Sequence, residues 1–389
     1  MMKTIPLWKL KRETLRLGRT IRNLPGIVWE YLSLRPRYDR SAPQRRKIHH
    51  GAKSLDGELA IYLIFPAHGI LPSHLHMLEH LETQGVNPVV VSNLPLSQAD
   101  MDRILPLSAM VIERPNVGYD FGGYRDAVLQ LDDILPTLER LYILNDSVWM
   151  IDTPRSWFDD VRAKDADFCG ATSNYGIRRC DARDFRELVW EYTIEHPNFH
   201  YASYALAIGP RILCDPGFLR YWKRFRLSND KKRTVRRGEI GLTQWVHRKG
   251  YNHAATCPVT GLDAEIAALG DDDLDAVTRN LVIPESPRLL ATRDEVLKSD
   301  PHTPEGRSDR IQIVLATVAG QAIGYAMPYY TTRRRGFQFL KKSPLWLSRD
   351  ASDRMLELMA GLEGPMGRQA AQEARDLRAT RGATLDAGD

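Results

Sequence analysis

A chain of 389 residues, 43% hydrophobic and 26% charged, can build one large α/β domain with extensions or two modest domains. It has no apolar run of about eighteen residues and no leader-like N-terminus, which argues against a membrane-spanning helix and a secretory signal. The four cysteines, Cys169, Cys180, Cys214 and Cys257, form no C-x-x-C pair; zinc-ribbon and thioredoxin chemistry are unsupported, and reduced thiols in a cytoplasmic protein are expected.

The net charge of +5 is uneven. Residues 1–50 hold 13 basic side chains against Glu13, Glu30 and Asp39, so the rest of the chain is net acidic. Residues 5–34 alternate these bases with Trp8, Leu10, Leu15, Ile21, Trp29 and Leu32, broken at Gly18 and Pro25-Gly26. Such a stretch suits an anionic membrane surface; an arm packed on its own domain, or a tail, is the alternative. Residues 36–57 are polar and read as a linker, so residues 1–55 are taken as arm plus linker.

The pattern then changes. Residues 59–65 are an apolar run ended by Pro66, a buried-strand signature. A helix follows over 72–84, then a strand at 89–91, a short helix at 97–106 and a strand at 109–112. Residues 122–131 read as helix, 141–144 as strand, 154–163 as helix, and 167–171 and 204–208 as strands. This alternation predicts an α/β domain with a mostly parallel central sheet flanked by helices, and ligands beyond the carboxyl ends of its strands. The domain is expected to span 56–265, with a loop or excursion over 266–310, completion over 311–350, and a helical or disordered tail over 351–389.

Two polar segments stand at predicted strand ends. In residues 116–125, Asn116, Gly118, Asp120, Gly122 and Arg125 are candidate donor-binding residues. The glycines let a backbone approach a ligand, Arg125 can pair with phosphate, and Asp120 can hold ribose or base donors. The competing reading is a tight turn with a structural Asp–Arg pair. In residues 144–147, Asp146 can meet Mg²⁺ or Mn²⁺ beside substrate phosphates, with Asn145 and Ser147 orienting phosphate or water. An Asx-turn competes with that reading. Glu239 opens a predicted helix and is the candidate general base, or else a carboxylate placed for the helix dipole. His76 and His80 match H-x-x-E-H, but Leu75, Leu78 and Leu81 claim the buried face of their helix, so zinc proteolysis is set aside.

At residues 114–124 and 144–148 the chain resembles the rhamnan synthesis protein F family, glycosyltransferase-like proteins of bacterial surface-polysaccharide assembly. Segments 168–172, 200–207 and 239–243 continue the match in order, and 336–342 is similar to the family's Pro-Phe-Leu-Lys ending. The likeness covers roughly 58–265 and 320–346. It implies a GT-A-like fold and transfer of a sugar, often rhamnose, from a nucleotide donor. It puts Asp120 and Arg125 in the donor pocket and Asp146 where such folds keep a metal-binding Asp-x-Asp. The turn here has one carboxylate, not two, which leaves metal dependence open. Residues 336–342 lack the proline and carry Gln338, so no role is assigned to them.

The expected activity is transfer from a nucleoside-diphosphate sugar to a hydroxyl of a growing cell-surface polysaccharide or lipid-linked glycan. Asp146 and Glu239 are its expected catalytic residues. Residues 1–35 would hold the protein at the inner face of the cell membrane. The competing reading is a non-catalytic sugar-binding or assembly protein on the same fold. A nucleic-acid partner is not expected of an acidic body without a reading motif.

Overall fold

The computed structural model describes residue 26, residues 28–382 and residue 385. Twelve strands occur among them: β1 (Lys47–His50), β2 (Glu58–Ile64), β3 (Val86–Ser92), β4 (Met110–Glu113), β5 (Arg140–Asn145), β6 (Val148–Met150), β7 (Phe168–Gly170), β8 (Ser173–Asn174), β9 (His200–Tyr201), β10 (Ala205–Ile208), β11 (His253–Ala255) and β12 (Phe339–Lys341). Eight form one sheet in the order β1-β4-β3-β2-β5-β10-β7-β11. The pairs β4–β3, β3–β2, β2–β5 and β7–β11 are parallel, and β1 and β10 run against their neighbours. This is the α/β architecture, a mostly parallel central sheet flanked by helices, expected of the chain.

β2 shows why its sequence reads as an unbroken apolar run. Leu59, Ile61 and Leu63 face one buried layer with Phe121, Tyr124 and Ile143. Ala60, Tyr62 and Ile64 face the other, with Met77, Leu78 and Leu81 of helix Pro72–Thr83. A strand covered on both faces cannot alternate apolar with polar. Because β10 runs against β5, the residues before it reach the same sheet edge as the residues after β5. Segments 144–147 and 203–204 therefore meet.

Three expected boundaries move. Residues 28–45 are helix, and residues 47–50, expected within a linker, are edge strand β1 on β4. The helix is fastened by charge: Arg125 donates two bonds to Asp39, at 2.7 and 2.9 Å, and Tyr38 bonds buried Asp126, which also pairs with Arg114 at 2.7 Å. Removing one partner of a buried pair such as Arg114–Asp126 costs about 3–5 kcal/mol. The arm proposed for membrane contact lies mostly in residues 1–25 and 27, outside the described residues.

Residues 266–310 are not a loop. They contain helices Asp271–Arg279 and Pro287–Val296 and the start of Pro304–Gly320. Ser286 and Thr303 cap the last two, each followed by proline at the first helical position. Both Ser-Pro and Thr-Pro are start signals written in the sequence. The tail is helical, as Arg349–Ala360 and Gly364–Arg381, and is docked: Glu373 accepts from the Ser73 amide and the Trp149 indole, both at 2.8 Å.

Candidate active site

β12 pairs antiparallel with β6 and so carries Lys341 back, from almost two hundred residues further along the chain, to the turn after β5. Lys341 Nζ donates to Ser147 Oγ at 3.1 Å and lies 4.4 Å from the centre of the Tyr204 ring. Ser147 is exposed at the rim. Asn145 is buried and its amide is already engaged: Nδ2 donates to Tyr124 Oη at 2.8 Å, and Oδ1 accepts from the Ser147 amide at 3.1 Å. The turn is thus the Asx-turn weighed against a phosphate-orienting role, and Asn145 is withdrawn from the donor set.

Ser203, just before β10, gathers the acidic groups. Its hydroxyl lies 2.5 Å from Glu239 Oε1 and 3.2 Å from Asp120 Oδ2. One hydroxyl proton serves two carboxylates. Tyr124 donates to the Ser203 carbonyl at 3.0 Å, which ties this loop to the helix bearing Asp120. Burial, and then the charge of Glu239, push the Asp120 carboxyl up to about 6. Burial pulls Lys341 down to about 8, opposed by Glu239 and Asp120. On the other side of Glu239, His200 Nε2 lies 3.4 Å from Oε2, and its Nδ1 contacts the Asn198 carbonyl at 2.7 Å.

Glu239, Lys341, Ser203, His200 and Tyr204 line one wall of a cavity of about 540 Å³. Thr317 and Gln321, on and just beyond helix Pro304–Gly320, help form the facing wall. Ile283, Glu285, Ser286 and Leu289 also line it, so the region expected to be a loop is part of the cavity. Asp120 lies behind Ser203 and is not part of the lining.

The rest of segment 116–125 does other work. Asn116 is exposed. Gly118 has φ of 81° at the start of helix Tyr119–Gln130, and its amide donates to Asn229 Oδ1 at 3.2 Å. A Cβ on Gly122 would lie 2.1 Å from the Val117 carbonyl oxygen, and one on Gly123 would lie 2.4 Å from Leu63. These glycines allow the helix to pack on its own entry loop and on β2. Arg125 is five positions beyond Asp120, on another side of the helix, and is held by Asp39 and the Trp222 carbonyl at 3.0 Å. It is buried in a structural ion pair and is withdrawn as a phosphate ligand.

Asp146 is also engaged. Its Oδ2 accepts from the Phe65 amide at 2.7 Å, and its own amide donates to the Leu63 carbonyl. His74 Nε2 stands 3.5 Å from Oδ2, too long for a good hydrogen bond. Burial raises the carboxyl, but His74, Lys342 and the Phe65 amide outweigh it and leave the group below its ordinary value. Among the described residues no group of three His, Cys, Asp or Glu side chains could hold a metal ion. The donor set at Asp146 does not fit a metal centre: one carboxylate, already bonded to an amide, has an imidazole and the Lys342 charge beside it.

The rhamnan synthesis protein F family model matches residues 88–276, a span containing Asp120, Asp146, Ser203 and Glu239 but not Lys341. The uncharacterized protein y4gN of Sinorhizobium fredii is 34% identical over 246 residues, 62% of this chain; the chain spans 59% of that relative's length. Among solved structures, the mannosyltransferase PcManGT of Pyrobaculum calidifontis, in complex with GDP-Man and Mn²⁺, has 11% identity and a TM-score of 0.30, covering 95% of this chain and 94% of its own. A protein described as a glucose-1-phosphate thymidylyltransferase of Bacillus anthracis, in complex with a sucrose, has 11% identity and a TM-score of 0.31, covering 51% of this chain and 85% of its own.

Proposed function

We propose that the chain is a glycosyltransferase that moves a sugar from a nucleoside-diphosphate sugar to a hydroxyl of a cell-surface polysaccharide or lipid-linked glycan. The family match supports the class, and rhamnose is the sugar that the family's name suggests. One observation carries the reading: a carboxylate, Glu239, and an ammonium, Lys341, share one cavity wall at the carboxyl edge of a mostly parallel sheet.

The two charges fit the two ends of the reaction. The acceptor hydroxyl must lose a proton as it attacks the anomeric carbon, and Glu239 is placed to take it. The departing nucleoside diphosphate gains negative charge, which the Lys341 ammonium would meet; the Ser147 hydroxyl already donates its proton to Asn145 Oδ1 at 2.5 Å. Asp120 acts through Ser203: when ionised, it competes with Glu239 for the one Ser203 hydroxyl proton and so frees the Glu239 carboxylate to accept the proton of the attacking hydroxyl. A divalent metal has no supported anchor at Asp146, and no step is assigned to one.

The test is nucleotide release from a panel of nucleoside-diphosphate sugars, with purified glycan acceptor. Release by the wild type and its loss in Glu239→Gln support the reading. Donor binding without release by any sugar on the panel would leave the non-catalytic alternative.

A further inference from the structure

The acidic body hides a second basic segment. Residues 216–238 carry nine Lys and Arg side chains against Asp230 alone. Helix Pro216–Arg224 buries Phe218 and Trp222 and turns Arg220, Lys223 and Arg224 outward. The π-turn Arg236–Ile240 divides its own side chains: Glu239 faces the catalytic cavity, and Arg237 lines a separate groove on the outer flank. That groove, of about 500 Å³, is also lined by Arg220, Arg224, Arg226, Lys249 and Tyr31, and by no acidic side chain.

Tyr31 belongs to the helix over 28–45, and its ring carries Arg226 at 3.8 Å and Arg237 at 5.1 Å. Glu30, the nearest acid on that helix, bonds Ser228, the Asn229 amide and Arg233. Burial lowers the Arg237 value, and Arg233 and Arg226 lower it further, as expected of cations crowded together. On the same helix Trp29 is 60% and Leu32 61% exposed, with Val28 beside them. Cations bordering exposed Trp and Leu make the composition of an interfacial helix.

We propose that this flank, the helix over 28–45 together with helix Pro216–Arg224 and Arg226 and Arg237, docks on an anionic phospholipid bilayer. The arginines meet lipid phosphates while Trp29 and Leu32 enter the headgroup region. A nucleic-acid backbone would answer the charge but not the apolar side chains. Docking does not depend on the proposed reaction. If that reaction is correct, the two-residue step from Arg237 to Glu239 places the cavity beside the lipid surface, where a lipid-linked acceptor is delivered.

The experiment is co-sedimentation of the full chain with vesicles of phosphatidylcholine alone or mixed with phosphatidylglycerol. Binding is expected only to the mixed vesicles and weakens as salt is added. Near an anionic surface each charge counts, so Arg220→Glu with Arg224→Glu should weaken binding by about tenfold or more. Trp29→Ala with Leu32→Ala should weaken it on the same vesicles. Both arginines are exposed, so an unchanged melting temperature excludes misfolding as the cause. Wild-type binding by the charge-reversed protein, equal binding to neutral vesicles, or competition by glycerol phosphate or duplex nucleic acid would overturn the proposal. Nucleotide release with a soluble acceptor is a separate readout and is unmoved in the first pair of variants if docking alone is lost.

Discussion

Asp120 and Asp146 both stand at the carboxyl edge of the sheet, one beyond β4 and one beyond β5, but their surroundings give them opposite characters. Asp120 shares the Ser203 hydroxyl with Glu239, and burial beside that second carboxylate raises it to about 6. Asp146 accepts a backbone amide and faces His74, which hold its charge in place. A carboxylate whose charge is disfavoured is ready to exchange a proton, whereas one whose charge is satisfied secures a turn. On the proposed function, the cleft centred on Ser203 is thus the reactive region and the Asp146 turn is its support.

The largest expected effect lies in the cleft. Glu239→Gln should lower nucleotide release by about 10²–10⁴-fold, the range for loss of a general base. Donor affinity should hold in a thermal-shift titration, because the amide keeps the shape of the side chain. If Asp146→Ala instead showed the larger loss, the assignment of the two regions would be reversed.

Much of this contrast was out of reach of the sequence. The apolar runs of β2, β3 and β5 and the polar segments at strand ends were legible because periodicity and turn chemistry are local. Glu239 was legible as a candidate because it opens a helix near the end of the matched motifs. Lys341 was not, because only the β12–β6 pairing brings it to Ser147, and pairing over that separation leaves no local signature. Arg125 misled for the same reason: its partner Asp39 is 86 residues away, in a stretch that reads as linker. The helices after residue 280 are signalled by Ser286-Pro287 and Thr303-Pro304, whose capping pattern is set in an acidic, weakly periodic stretch.

Lys341 offers the next largest effect. Lys341→Gln should cost about 10²–10³-fold in release, comparable to removing one preorganised donor from a developing negative charge. Lys341→Arg keeps the cation and should recover part of it. Because the ammonium of the free protein loses its proton near pH 8, kcat/KM should fall above that pH. In Lys341→Arg this alkaline limb should disappear. A limb that persists in the arginine variant would assign it to another group.

On the same proposal, an acidic limb is expected from Asp120. Its carboxyl is protonated below about 6 and ionised above, so kcat/KM should rise with pH through that value. Below the midpoint the fall should approach about tenfold per pH unit if the ionised form alone is active. In Asp120→Asn the side chain cannot ionise, and the limb should move or vanish while activity at neutral pH falls less than in Glu239→Gln. An unchanged limb in Asp120→Asn would remove Asp120 from the reaction.

Asp146 should yield the smallest catalytic effect and a measurable stability effect. Asp146→Ala removes the bond from the amide of exposed Phe65, which can turn to water, a net loss of about 0.5–1.5 kcal/mol in urea unfolding. The side chain is 21% exposed, so the lower half of that range is expected. The accompanying loss in turnover should stay below about tenfold, or 1.4 kcal/mol of barrier. Asp146→Asn separates charge from hydrogen bond, because its amide oxygen can still accept from Phe65. The folded carboxyl lies below its ordinary value, so its charge stabilises the protein above the unfolded value of about 3.9. That contribution is lost as pH falls through the lower folded value. The part of the stability gap between wild type and Asp146→Asn that comes from this carboxyl should therefore close as the pH falls below about 4. A gap that widened in acid would mean that the turn is held by something other than the charge of Asp146.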